Sequence, residues 1–129
     1  MPPIKILVVE DEAFARETIV DYLNIKGYEN ISIASRGQEA LDKISEEKPD
    51  FIFLDIQLAD KIDGMEVLRQ ARSLSPLSKC IMMSAYKDEF GPKAEELGAY
   101  YFLKKPIRNL DKIIKLIEGR PGGSSTGLN

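Results

Sequence analysis

Three consecutive carboxylates, Glu10, Asp11 and Glu12, close the short apolar run that begins at Ile4. Acids gathered at one strand end repel one another and resist ionisation unless a cation neutralises them. A hard divalent ion such as Mg²⁺, held by one or two carboxylates plus waters, suits that arrangement. Other apolar runs also end in groups with chemistry: Asp55 closes Phe-Ile-Phe-Leu, Ser84 closes Cys-Ile-Met-Met, and Lys105 follows Tyr-Tyr-Phe-Leu-Lys. Acids alone would suggest a cation store. A hydroxyl and an ammonium beside them suggest a tetrahedral anion next to the metal, because such donors satisfy phosphoryl oxygens that the cation leaves free.

These side chains meet only if their strands share one sheet. The chain alternates strand-like and helix-like blocks five times, over strand candidates 4–9, 30–34, 51–54, 79–84 and 100–103. That is the pattern of a parallel sheet covered on both faces. The third and fourth runs are almost wholly apolar and belong in the sheet interior, where strands lose polar alternation. Between them, amphipathic spacing predicts helices around Ala15, Ile19 and Leu23; Ala40, Leu41 and Ile44; Val67, Leu68 and Ala71; and Leu110, Ile113, Ile114 and Ile117. Gly91-Pro92 leaves only about residues 93–97 for a fourth helix. Gly27, Gly37, Gly64 and Gly98 fall at element ends, where positive φ or close approach is required. The expected class is α/β, a doubly wound five-stranded parallel sheet of order 2-1-3-4-5 with the flavodoxin-like arrangement. In that order the carboxyl ends of the first and third strands flank the switch point where open sheets bind ligands.

The 129 residues, 43% apolar and 30% charged, predict one domain over residues 1–118. From Gly119 the composition turns to Gly-Arg-Pro-Gly-Gly-Ser-Ser-Thr-Gly-Leu-Asn, expected to be a flexible tail over 119–129. No run approaches the ~20 apolar residues of a membrane span, and no signal peptide opens the chain, so a cytoplasmic protein is expected. The net charge of −3 without a basic patch argues against direct nucleic-acid binding. With no His in the sequence, imidazole bases and His-ligated zinc are excluded. The single Cys80, inside an apolar run, reads as a buried small hydrophobe.

Glu10-Asp11, Asp55, Ser84-Ala85 and Lys105-Pro106, with Asp63-Gly64 and Gly98-Ala99 at their separations, resemble the receiver domain of two-component response regulators. That family includes the single-domain chemotaxis regulator, and the resemblance covers about residues 4–118.

The resemblance implies a signalling phosphoacceptor rather than an enzyme. Asp55 would take a phosphoryl group from a sensor histidine kinase or histidine phosphotransfer protein, a nucleophile role open to Asp. Asp11 would ligate Mg²⁺ directly and Glu10 through a water, with Asp55 and the backbone carbonyl of Gln57 as further ligands. Lys105 would pair with Asp55 and then with the phosphoryl, and Ser84 would hydrogen-bond a phosphoryl oxygen. Phe102, at the aromatic switch position, would rotate inward to report the change to a downstream protein. Lys105-Pro106 would be cis. Phe14, Thr18, Pro106 and Ile107 would form the rim on which the kinase or phosphotransfer helix docks. Glu12 reads as a first-turn helix acid favoured by the macrodipole.

Three features depart from the family pattern. The stretch from Asp55 to Gly64 is one residue longer than usual and carries Ala59 where Pro is common; position 10 is Glu rather than Asp; and Gly91-Pro92 interrupts the fourth helix. Gln57 and Tyr86 occupy the positions that tune phosphoryl lifetime, and bulky Tyr86 suggests slow self-hydrolysis. Other classes fit less well. A haloacid dehalogenase type phosphatase lacks its Asp-x-Asp pair here, and a flavin phosphate would be repelled by the acids at 10–12. A degenerate receiver acting as a constitutive binding module sits badly with an intact Asp11, Asp55 and Lys105.

Overall fold

The computed structural model describes residues 3–119. Strands and helices alternate strictly: β1 (Ile6–Val9), α1 (Ala13–Ile25), β2 (Ile31–Ala34), α2 (Gly37–Glu47), β3 (Phe51–Asp55), α3 (Gly64–Leu74), β4 (Lys79–Ser84), α4 (Lys87–Glu96), β5 (Tyr101–Lys104) and α5 (Asp111–Glu118). All neighbouring strands pair in parallel, in the order β2-β1-β3-β4-β5, as the sequence predicts. The expected flexible segment, beyond Gly119 itself, lies outside the described residues.

Strand alternation divides the core into two layers. Leu7, Val9, Ile52, Leu54, Cys80, Met82 and Phe102 face one side, against Ala40, Leu41 and Ile44 of α2, Val67, Leu68 and Ala71 of α3, and Ala94 of α4. Ile6, Val8, Phe51, Phe53, Ile81, Met83 and Leu103 face the other, against Ile19 and Leu23 of α1 and Ile113 and Ile117 of α5. Both faces of the sheet are therefore covered, which is why β1, β3 and β4 carry almost no polar residues. Cys80 is fully buried and its thiol is pushed up to about 11 by burial, as an inert core residue should be.

The fourth helix corrects the sequence expectation. It runs Lys87–Glu96 straight through Gly91 and Pro92. A proline there removes a backbone hydrogen bond at a cost of about 3 kcal/mol. Packing outweighs it: Ala94 is fully buried, and Phe90 and Leu97 press on the core. Local propensity lost to tertiary contact.

Candidate functional site

The parallel pairing of β1 and β3 sets Val9 beside Leu54, so the residues that follow meet at one sheet end. There the carboxylates of Glu10, Asp11 and Asp55 each offer an oxygen within 4.8 Å of the others. Glu10 is 1% exposed and Asp55 4%. Burial first, and the negative charge of Glu10 second, push the Asp55 carboxyl up to about 7, while Lys105 pulls it the other way.

Lys105 enters this crevice from the turn after β5, its amide held by the Ser84 carbonyl at 2.8 Å. Its Nζ lies 3.4 Å from Asp55 Oδ1 and makes a closer hydrogen-bonded ion pair with Glu10 Oε1. Burial alone would lower the Lys105 pKa, but the bond to Glu10 and the charge of Asp55 together raise it. The sequence suggested Asp55 as its partner; the structure gives it both acids, Glu10 the nearer. The Lys105-Pro106 bond is cis.

Glu10 is fixed from several sides. The Glu12 amide donates to its Oε2 at 3.2 Å, and Arg16 Nη1 donates to its carbonyl at 2.8 Å. Arg16 is half-buried, and as a lone basic residue it carries no sequence motif. Glu12 is the N-cap of α1 rather than a first-turn acid: its two oxygens accept from the amides of Phe14 at 3.2 Å and Ala15 at 2.6 Å. Cap acceptance occupies the side chain away from the acid cluster.

Two loop contacts complete the crevice. The Gln57 amide donates to Asp55 Oδ1 at 3.2 Å, and the Ala59 amide donates to Asp11 Oδ2 at 2.9 Å. The loop is shaped by two close approaches. A Cβ at Gly64 would stand 2.1 Å from the Asp55 carbonyl oxygen, and one at Gly37 would stand 2.2 Å from the Ile62 carbonyl oxygen. Only glycine fits either place.

Ser84, at the end of β4, is fully buried, with its Oγ accepting from the Tyr86 amide at 3.0 Å. Phe102 differs from the sequence expectation of a ring that starts outside: it is 1% exposed, already in the core. A phenyl ring has no hydroxyl to keep in water, so burial strands nothing polar. Phe102, Lys104 and Lys105 also line a groove of about 420 Å³, with Lys87, Arg108 and Lys112 around it. Of the expected docking rim, Phe14 is 77% exposed, Thr18 is exposed with its hydroxyl on the Phe14 carbonyl at 2.8 Å, and Pro106 is exposed. Ile107 is half-buried against the α1 and α5 side of the core, so it presents less apolar surface than expected.

The donor set can be tested against a divalent cation. Three hard carboxylate oxygens converge with one ammonium between two of them, which leaves uncompensated negative charge in a mostly buried place. Those groups fit Mg²⁺.

The response regulator receiver domain model matches residues 6–118. The chain belongs to that family. Among relatives, this receiver domain is 34% identical over 116 residues to the chemotaxis protein CheY of Listeria monocytogenes, covering 89% of this chain and 96% of that protein. It is 41% identical over 117 residues to the alkaline phosphatase synthesis transcriptional regulatory protein PhoP of Bacillus subtilis, covering 88% of this chain and 48% of PhoP. It is 39% identical over 112 residues to the osmosensing histidine protein kinase SLN1 of Saccharomyces cerevisiae, covering 81% of this chain but 9% of the kinase. The chain thus spans less than half the length of several curated relatives that it matches. In structure, this receiver superposes on the CheY-like receiver domain protein of Methanospirillum hungatei with a TM-score of 0.84 at 29% identity, over 92% of this chain and 94% of that one. The receiver domain of NtrX from Brucella abortus gives 0.82 at 31% identity, over 93% and 100%. No helix among the described residues is long and apolar enough to cross a membrane.

Proposed function

We propose that this receiver domain is a phosphoacceptor that takes a phosphoryl group from the phosphohistidine of a sensor histidine kinase or phosphotransfer protein onto Asp55. The observation that carries this reading is Asp55 itself, a strand-end carboxylate 4% exposed, with Lys105 Nζ at 3.4 Å and two further acids beside it. In the transfer, a carboxylate oxygen of Asp55 forms a bond to phosphorus as the phosphorus–nitrogen bond of the donor breaks. The imidazole leaves with that electron pair. Glu10, Asp11 and Asp55 would hold Mg²⁺, with the Gln57 carbonyl as a further ligand, and the ion supplies charge neutralisation at the phosphoryl oxygens. Lys105 would stabilise the same charge, so no general base is needed.

Phosphorylation adds about 1.5 to 2 negative charges and new acceptor oxygens. Ser84, whose hydroxyl proton is free to rotate while its oxygen accepts from Tyr86, then donates to one of them. Lys105 redistributes from Glu10 toward the phosphoryl. Both changes occur beside the groove that Phe102 and Lys105 share, so the phosphorylated state fixes Phe102 inside and remodels that surface for a downstream protein. The surface around Phe14, Thr18, Pro106 and Ile107 receives the phosphodonor. The setting is the cytoplasm, and the product is a changed protein contact rather than a released metabolite.

Incubation with Mg²⁺ and acetyl phosphate or phosphoramidate, read by intact mass, tests the reading. A Mg²⁺-dependent gain of one phosphoryl group that disappears in Asp55→Asn is expected. No gain, together with no response to beryllofluoride, would point instead to a constitutive binding module.

A further inference from the structure

The loop between β3 and α3 reaches back to the acid cluster through its main chain. We infer that the backbone amide of Ala59 is a positioning group that orients Asp11 for a divalent cation, so that this loop is part of the metal site. The inference rests on the Mg²⁺ reading above and goes beyond it, by adding a group that no side-chain motif supplies.

The loop is built to hold that amide in place. At its base the Gly64 amide bonds the Ile56 carbonyl at 2.9 Å, in a spot too tight for any Cβ. On one flank Leu58 is 7% exposed and belongs to the core, and on the other Ile62 packs on the same core against Gly37. Between those two anchors the exposed residues Ala59, Asp60 and Lys61 form the tip, tightened by the Asp60 amide on the Leu58 carbonyl at 2.8 Å. From that tip Ala59 donates to Asp11 Oδ2 at 2.9 Å, across 48 positions of chain. Asp11 is half-buried and lies two residues past the end of β1, so rotation about its side-chain bonds is its main freedom. One amide on Oδ2 removes that freedom and leaves Oδ1 for the cation. Hydrogen bonds of this kind to ligating carboxylates orient them, and their loss typically lowers metal affinity about 10- to 100-fold.

The residue type at position 59 decides whether the tie exists. Proline, common at this place in the family, has no N–H to donate, whereas alanine and glycine do. Alanine at position 59 supplies the N–H that makes the contact.

Titration of the intact protein with Mg²⁺ by calorimetry, on the wild type, Ala59→Pro and Ala59→Gly, tests this. Amide hydrogen exchange of Ala59 in the wild type, with and without Mg²⁺, gives a readout that needs no variant. Expected results are an affinity about tenfold lower in Ala59→Pro and close to wild type in Ala59→Gly, with the Ala59 amide protected in both metal states. A folded Ala59→Pro that binds Mg²⁺ as tightly as the wild type or more tightly overturns the inference, as does loss of Ala59 protection when Mg²⁺ binds. Absence of Mg²⁺ binding by the wild type overturns the metal reading itself, and this inference with it.

Discussion

Lys105 holds its ammonium 3.4 Å from Oδ1 of Asp55 while hydrogen-bonding Glu10 on its other side, so one cation serves two buried carboxylates. The remaining negative charge is what the crevice offers to a divalent cation. It also makes the resting site a liability to the fold, with measurable consequences.

Asp55 has a folded-state pKa of about 7 against 3.8 for the free group, so the folded protein holds that proton more tightly than the unfolded chain. Its contribution to stability is therefore fully present below pH 3.8 and is lost as pH rises through about 7. Asp55→Asn, which stays neutral, should raise the stability of the metal-free protein at pH 8 by about 1 to 2 kcal/mol, a figure set below the full shift because water reaches the crevice mouth. At pH 4 the gain should vanish, and added Mg²⁺ should shrink it at pH 8 by stabilising the wild type. Thermal melts at the two pH values, with and without Mg²⁺, check this.

Removing the ammonium should act in the opposite direction. Lys105→Met leaves Glu10, 1% exposed, without its charged partner. A loss of about 2 to 3 kcal/mol is expected in urea unfolding, toward the lower end for broken buried pairs because the Lys105 side chain is itself 26% exposed. Phosphorylation by acetyl phosphate should fall at least about 100-fold, the scale of one electrostatic group at a reacting centre.

Two glycine substitutions should separate close approach from helix propensity. Gly64→Ala drives a Cβ to 2.1 Å from the Asp55 carbonyl oxygen and should cost more than about 3 kcal/mol, with the phosphorylation rate falling as Asp55 shifts. Gly91→Ala, inside α4, meets only the Lys87 side chain at 3.8 Å and should stabilise by about 0.5 to 1 kcal/mol. Denaturation midpoints of the pair distinguish them. A destabilised Gly91→Ala would argue that the helix does not run through that position.

Tyr86 is 53% exposed, and its amide donates to the Oγ of the buried Ser84. We propose that its ring screens an acyl phosphate on Asp55 from attacking water. Tyr86→Ala keeps the amide and removes the ring, so the phosphorylated protein should lose its phosphoryl several-fold faster. A wild-type half-life of seconds in Mg²⁺ would leave the screening idea without support.

Much of this architecture is readable from residue order. Apolar runs of strand length, each ending in an acid, hydroxyl or amine, placed four of the five strand ends in one crevice and made β3 and β4 central. What escaped did so for physical reasons. The fourth helix was hidden because Gly91 and Pro92 are local breakers, while the burial of Ala94 and the packing of Phe90 and Leu97 that override them are long-range. The cap role of Glu12 was hidden because Glu is not among the favoured N-cap residues. The Ala59 contact was least visible, since a main-chain donor is shared by every residue but proline, and only the missing proline hints at it. Arg16 reaches a carbonyl rather than a side chain, so no charge pairing marks it.

Reductive trapping identifies the phosphorylated residue directly. Protein treated with acetyl phosphate and Mg²⁺ is quenched with borohydride, which converts an acyl phosphate to an alcohol, and the modified residue is located by peptide mass mapping. Modification at Asp55, dependent on Mg²⁺ and absent in Asp55→Asn, is expected. Modification confined to Glu10, Asp11 or any other carboxylate, or persisting undiminished in Asp55→Asn, would contradict it.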